Sequence, residues 1–205
     1  MVGFFGLVST LAGGALLLSA ALAPLPAPQE KAPAPTPAAT KPDAAGFPAS
    51  WAGVWRGPAR TTNRNGGGFA FGVELVIAPT GKPDRFQWTI VYESNEMRRQ
   101  ERPYELLVKD AEKGLYAIDE KNGIVIDAWF VDGALYSHFV VEGNRISVVE
   151  RLTTGPTGEP EIVFELVTVA DEDLRGSGGE GGMPAVRAAA PRSVQRSVLR
   201  RVEPR

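Results

Sequence analysis

Three polar side chains fall on the apolar face that the strand pattern predicts for the middle of the chain. They are Arg102, Ser137 and Glu150. A buried charge is costly unless it is paired or solvated. Two interpretations stay open: Arg102 and Glu150 pair with each other across the interior, or they line a wet cavity. In the second case Arg102 and Tyr104 would bind the anionic head group of a ligand whose apolar body meets the aromatic walls.

The same predicted face is rich in aromatic rings. Side chains alternate across a strand, so each hairpin sorts its residues onto two faces. A one-residue slip in register would move the whole set to the outside. Taking Asp132-Gly133 and Gly143-Asn144 as two-residue loops pairs Ala128 with Ser137, Ile126 with Phe139, and Phe139 with Val148. With this register, seven residues converge on the interior and form the predicted ligand-binding set: Trp88, Arg102, Tyr104, Ser137, Phe139, Glu150 and Phe164.

The only histidine, His138, is predicted to lie opposite Asp127 on the outer face. Such a pair could act as a base with its orienting carboxylate. An exposed pair of this kind more often reflects ordinary cross-strand electrostatics. No cysteine or well-placed serine nucleophile accompanies it, and one histidine among scattered carboxylates lacks metal-ligand spacing. The sequence therefore predicts no catalytic residue, no metal site and no cofactor.

The positioning elements are short alternating strands joined by turns. Asn122-Gly123 and Asp132-Gly133 each sit between apolar alternating runs, a strong hairpin signal. The fold class predicted is mainly β: an antiparallel up-and-down meander curled into a barrel of about nine or ten strands. Closure needs an even number, so the sheet stays open, two strands are merged, or the tail adds a tenth. The nine predicted strands are Trp51–Arg60, Phe69–Ala78, Phe86–Glu93, Glu101–Lys109, Leu115–Asp119, Ile124–Val131, Ala134–Val141, Arg145–Leu152 and Glu161–Val169.

Gly53-Val54-Trp55, at the head of this meander, resembles the G-x-W start of lipocalins and the wider calycin group. The resemblance covers roughly Trp51 to Val169. It implies a barrel with an interior ligand pocket and Trp55 closing one end. Fatty-acid-binding proteins of that group carry a helical lid, for which Thr61 to Gly68 is too short. Nitrobindin-like members bind haem through a late, inward histidine; His138 lies earlier and faces outward, so haem is not supported.

The two ends of the chain differ from its middle. Residues 1–23 resemble a secretory signal peptide, since Met1 to Leu25 carries no charged side chain. An uncleaved membrane anchor is the alternative. Residues 24–48 form an Ala/Pro-rich linker that is expected to be disordered. The barrel is assigned to residues 49–170. A Gly-rich segment and basic tail fill residues 171–205, with Ser193 to Val202 either a helix or a closing strand.

Composition and net charge limit the classes of function that the chain can have. The chain has no cysteine and a net charge of −2, which excludes disulfides and gives no electrostatic case for nucleic acid. We expect an extracytoplasmic, lipocalin-like module that binds a small apolar or anionic amphipathic molecule. The alternative is a non-catalytic structural or protein-interaction domain with a filled core, displayed on its tether. An enzyme would need Asp127 and His138 to converge in a concave site.

Overall fold

The computed structural model describes residues 46–94 and 98–203, which are mainly β-structure. The predicted signal peptide and nearly all of the predicted linker lie outside these residues. Within the described ranges, no helix is long and apolar enough to cross a membrane. A short 3₁₀ turn, Ala49–Trp51, leads into twelve strands. They are β1 (Gly53–Asn63), β2 (Gly68–Pro79), β3 (Arg85–Glu93), β4 (Gln100–Asp110), β5 (Leu115–Asp119), β6 (Val125–Val131), β7 (Ala134–Val141), β8 (Asn144–Thr154), β9 (Pro160–Ala170), β10 (Arg175–Ser177), β11 (Val186–Ala188) and β12 (Ser193–Val202).

The barrel is closed by the last strand. β1 to β9 pair antiparallel in chain order, and β12 lies between β9 and β1 to complete ten strands. The predicted meander is confirmed, and the tail supplies the missing strand. β10 and β11 form a separate two-stranded sheet within the connection from β9 to β12. The spacing of Val194, Val198 and Val202 fits a helix as well as this strand, because residues four apart share a face in both.

Two tight turns set the register around β7. Asp132 and Gly133 have φ of 49° and 73°, which confirms the two-residue hairpin with both central residues at positive φ. The next loop is Glu142-Gly143, one residue earlier than the predicted Gly143-Asn144. As a result Phe139 pairs with Ile146, and the predicted pairing with Val148 is wrong. The slip is two residues in the partner strand, so every side chain keeps its predicted face.

The loop around Asn122-Gly123 is one residue longer than the predicted strands allow. β5 and β6 rejoin only at the Asp119–Val125 pair, so residues 120–124 connect them instead of residues 120–123. The Asn122 side chain accepts a hydrogen bond from the Ile124 amide at 2.9 Å. Side-chain bonding to the local backbone therefore lengthens this loop.

The seam between β6 and β7 is the shortest in the barrel wall. Its pairing ends at Trp129–Tyr136, after three residue pairs. The predicted pairs Ala128–Ser137, Ile126–Phe139 and Asp127–His138 are absent from this ladder. β6 stays paired with β5 while β7 stays paired with β8 along its whole length, so the two strands follow different neighbours and separate.

One end of the barrel is filled by aromatic side chains, which we call the aromatic plug: Phe47, Trp51, Trp55, Tyr116 and Phe130. Phe47 stacks on Phe130 with ring centroids 4.2 Å apart and meets Trp51 and Tyr116 edge-on at 4.9 Å. Trp55 is fully buried and donates its Nε1–H to the Trp51 carbonyl at 2.9 Å. The Arg201 guanidinium covers its ring at 4.6 Å. Trp55 thus closes this end, as the resemblance to lipocalins implies.

The plug predicts a specific loss of stability. Phe47→Ala removes the ring that contacts four other aromatic side chains. We expect the free energy of unfolding to fall by about 3–5 kcal/mol, measured by urea denaturation. Phe69→Ala is the control, because Phe69 is 55% exposed and should cost little. Equal losses in the two variants would contradict the plug.

Candidate ligand-binding site

A cavity of about 120 Å³ occupies the barrel interior on the side away from the aromatic plug. All seven residues of the predicted ligand-binding set line it, from five different strands. Their role in binding stays a prediction, but the structure brings all of them together. Seven further residues line the cavity but were not in the predicted ligand-binding set: Ile90, Tyr92, Ile118, Glu120, Ile126, Val148 and Leu166. Most follow the same alternation and could have been included, whereas Glu120 lies in a connection with no alternation to read.

The floor of the cavity is a polar contact across the barrel. The Trp88 indole N–H lies within hydrogen-bond reach of the Glu150 carboxyl group. Trp88 is on β3 and Glu150 on β8, and four strands separate them in either direction around the wall. The contact therefore joins opposite sides of the barrel. It spans the interior between the aromatic plug and the open cavity.

Glu150 is the most perturbed group in the cavity. It is 6% exposed, and burial raises the pKa of its carboxyl from an ordinary 4.5 to about 8. The nearby Trp88 N–H acts in the opposite direction, favouring the charged form. At neutral pH the group is therefore mainly protonated and uncharged. It can then act as a hydrogen-bond donor as well as an acceptor.

Arg102 and Glu150 do not form the ion pair that one sequence interpretation allowed. The Arg102 guanidinium lies 5.1 Å from the centre of the Tyr92 ring. Its Nη1 is 3.4 Å from the Tyr104 hydroxyl oxygen. Alternation predicted both charges inside the barrel. Arg102 lies at the solvent-exposed opening of the cavity, which we call the mouth, whereas Glu150 lies at the buried end, the floor. The guanidinium keeps contact with water, and the carboxyl loses its charge instead.

The mouth carries a balanced set of polar groups. The Glu120 carboxylate lies within hydrogen-bond reach of the Tyr104 hydroxyl, which also faces Arg102. Burial raises the pKa of Tyr92 and of Tyr104, so both phenols are neutral at physiological pH. A ligand entering here would meet one cation, one anion and two hydroxyl groups.

His138 is not part of this cavity. It is exposed on the outer wall, where its Nδ1 lies 2.9 Å from the Ser147 hydroxyl oxygen across the β7–β8 seam. Asp127 is also exposed and lies beyond the end of the β6–β7 ladder. The predicted Asp127–His138 pairing is therefore wrong. Among the described residues, no cluster of three or more His, Cys, Asp or Glu is arranged to hold a metal ion.

Three other hollows lie near the barrel, one of them a space of about 500 Å³ beside Arg60, Arg64 and Arg196. A space of about 20 Å³ beside Glu150, bordered by Leu75, Gln195 and Leu199, is large enough for one water molecule. A groove of about 930 Å³ runs over the outer face of β1, β2 and β3. The Arg56 guanidinium in this groove is already paired with Glu74. The interior cavity is the better candidate, because its carboxyl group has no cationic partner.

Comparison with known proteins supports the fold. No protein-family model matches the sequence, and no curated protein matches it. An S-type phycobiliprotein lyase, CPES from Guillardia theta, has a similar structure with a TM-score of 0.50 at 9% identity, covering 75% of this chain and 89% of that one. A protein of unknown function from the DUF3598 family of Nostoc punctiforme also has a TM-score of 0.50, at 13% identity, covering 74% of this chain. This chain spans about half (47%) of the Nostoc protein.

The pKa of Glu150 makes stability depend on pH. The folded state holds this proton more tightly than the unfolded chain, so unfolding becomes easier as pH rises from about 4.5 to about 8. Glu150→Gln cannot titrate there. Relative to this variant, we expect the wild-type free energy of unfolding to fall over that range by on the order of 5 kcal/mol. Urea denaturation at several pH values measures it.

Other titratable groups around the cavity are Tyr92, Arg102, Tyr104 and Glu120. They are unchanged in the variant, so the difference isolates Glu150. Ser137→Ala, which alters the same cavity without an ionisable group, should keep the wild-type pH slope. The assignment is refuted if Glu150→Gln retains that slope.

Proposed function

We propose that the barrel binds a small apolar or amphipathic molecule in its interior. The observation that carries this proposal is the unfilled cavity itself, which combines aromatic walls with a few convergent polar groups. Cavities with this composition are the usual form of small-molecule sites. The structural similarity to a phycobiliprotein lyase is consistent with a ligand-binding barrel, and it supports no particular ligand.

The size of the cavity limits the ligand. Its volume is about 120 Å³, and an apolar cavity of about 150 Å³ is known to hold benzene. A single aromatic ring or a short branched chain is therefore the largest body that fits without rearrangement. A longer molecule would have to extend through the mouth into solvent.

The mouth would hold the polar end of such a ligand. Arg102 is exposed there, beside the neutral hydroxyl of Tyr104. A carboxylate or similar anion could accept charge-assisted hydrogen bonds from the guanidinium. An anionic amphipathic molecule would then bind with its ring inward and its charge at the rim.

Benzyl alcohol and benzoate test this proposal, because both carry one ring and differ in charge. We expect saturation-transfer NMR to detect binding of both to the wild-type barrel. Val148→Phe should abolish binding by filling the cavity, since Val148 lines it. Val149→Phe is the matched control on the outer face of the same strand. Arg102→Gln should weaken benzoate by about fivefold and leave benzyl alcohol unchanged.

Failure of the wild-type protein to bind either probe would overturn the proposal. Equal effects of the Val148 and Val149 variants would show that the probes bind elsewhere. Circular dichroism of each variant separates loss of the site from loss of the fold.

A second candidate is a non-catalytic structural or interaction domain. The small volume favours it, because ligand pockets usually enclose roughly 300–1,000 Å³. In either case we propose no catalytic step. The outward-facing His138 and Asp127 support this view.

We also propose that the module acts outside the cytoplasm. The uncharged N-terminal stretch, the Ala/Pro-rich segment after it and the lack of cysteine support export.

A further inference from the structure

We propose that the floor of the cavity selects a ligand whose buried end carries a basic nitrogen, with Glu150 as its partner. This inference rests on the proposed function and specifies the class of ligand. It concerns the floor, whereas the anion site at Arg102 concerns the mouth. A ligand could use either end of the cavity or both.

Glu150 has hydrogen-bonding capacity that the protein does not use. Its carboxyl group lies within hydrogen-bond reach of the Trp88 indole N–H and forms no ion pair with any described residue. Ser137, on the neighbouring strand, lines the same cavity. Buried polar groups are normally satisfied. A carboxyl group that lacks a cationic partner and has a second polar side chain nearby therefore suits a ligand with a basic group.

A second buried carboxyl, which lies outside the cavity, has a cationic partner from the protein itself. Glu161 is 5% exposed, and Arg200 donates to it from the adjacent strand at 2.8 Å. Glu150 has no such partner, although Arg102 lines the same cavity. The missing cation is therefore specific to the cavity floor, where a ligand can supply it.

The walls are suited to a cation as well. Trp88, Tyr92, Tyr104, Phe139 and Phe164 surround the cavity. An ammonium group within about 6 Å of such a ring is attracted by its electron-rich face. The Tyr92 ring already accepts the Arg102 guanidinium in this way. Glu120 at the mouth adds a negative charge along the route inward.

The proton balance is simple. When an amine enters uncharged, the Glu150 O–H proton passes to the nitrogen lone pair, and an ammonium–carboxylate pair results. When it enters as an ammonium ion, Glu150 releases its proton to solvent. Both routes give the same pair, with the Trp88 N–H still within hydrogen-bond reach of the carboxylate. No other reactant is required.

Benzylamine, benzyl alcohol and benzoate form a probe series of nearly equal size, measured against wild-type protein, Glu150→Gln and Arg102→Gln. We expect benzylamine to bind the wild type at least about tenfold more tightly than benzyl alcohol, as a charge-assisted contact requires. Glu150→Gln should remove that advantage and leave benzoate unchanged. Arg102→Gln should weaken benzoate and leave benzylamine unchanged or tighter. Calorimetry and saturation-transfer NMR give the affinities.

The outcomes separate the two proposals. If benzyl alcohol or benzoate binds while benzylamine binds no more tightly, the basic-nitrogen inference is overturned and the proposed function stands. If benzylamine binds equally well to Glu150→Gln, the inference is overturned again. If none of the three probes binds, both fall. Glu161→Gln, a buried carboxyl outside the cavity, should leave all three affinities unchanged.

Discussion

The polar contact between the Trp88 indole and the Glu150 carboxyl group is the interaction on which the interior of this barrel depends. It joins opposite strands and divides an aromatic, filled half from an open, partly polar half. A charged carboxylate at this depth would be strongly destabilising without a cation. No residue in the described ranges supplies one there, so burial favours the protonated form of Glu150. A hollow with an uncharged acid on its floor is the result.

The rest of the structure fixes the geometry of that contact. β12 completes the cylinder: Leu199 is buried inside it, and the Ser197 hydroxyl donates to the Pro58 carbonyl at 2.8 Å. Closure removes sheet edges and sets the distance between facing walls. At the other end, the aromatic plug holds the start of β1 against the core. The aromatic plug therefore fills one end of the interior, and the cavity lies on the side away from it.

Much of this arrangement could be predicted from the sequence, because alternation depends only on parity. Trp88, Tyr104, Phe139 and Phe164 converge as predicted, and even the two-residue register error at β8 leaves their faces unchanged. Contacts across the barrel could not be predicted. Whether Arg102 meets Glu150 depends on their depths along the barrel axis, which strand tilt and stagger determine. The predicted Asp127–His138 pairing was wrong for a related reason. Whether β6 and β7 stay paired depends on how each pairs with its other neighbour, β5 or β8.

Direct titration of the Glu150 carboxyl carbon by ¹³C NMR tests the central claim most directly. We expect a midpoint near pH 8, with the Trp88 indole N–H resonance shifting over the same range. Adding benzylamine should move the Glu150 carboxyl and Trp88 indole resonances to the positions of the ionised form at neutral pH. A midpoint near the ordinary value of 4.5, with no response from Trp88, would show that Glu150 is charged or solvated, and the floor of the cavity would be wrongly assigned.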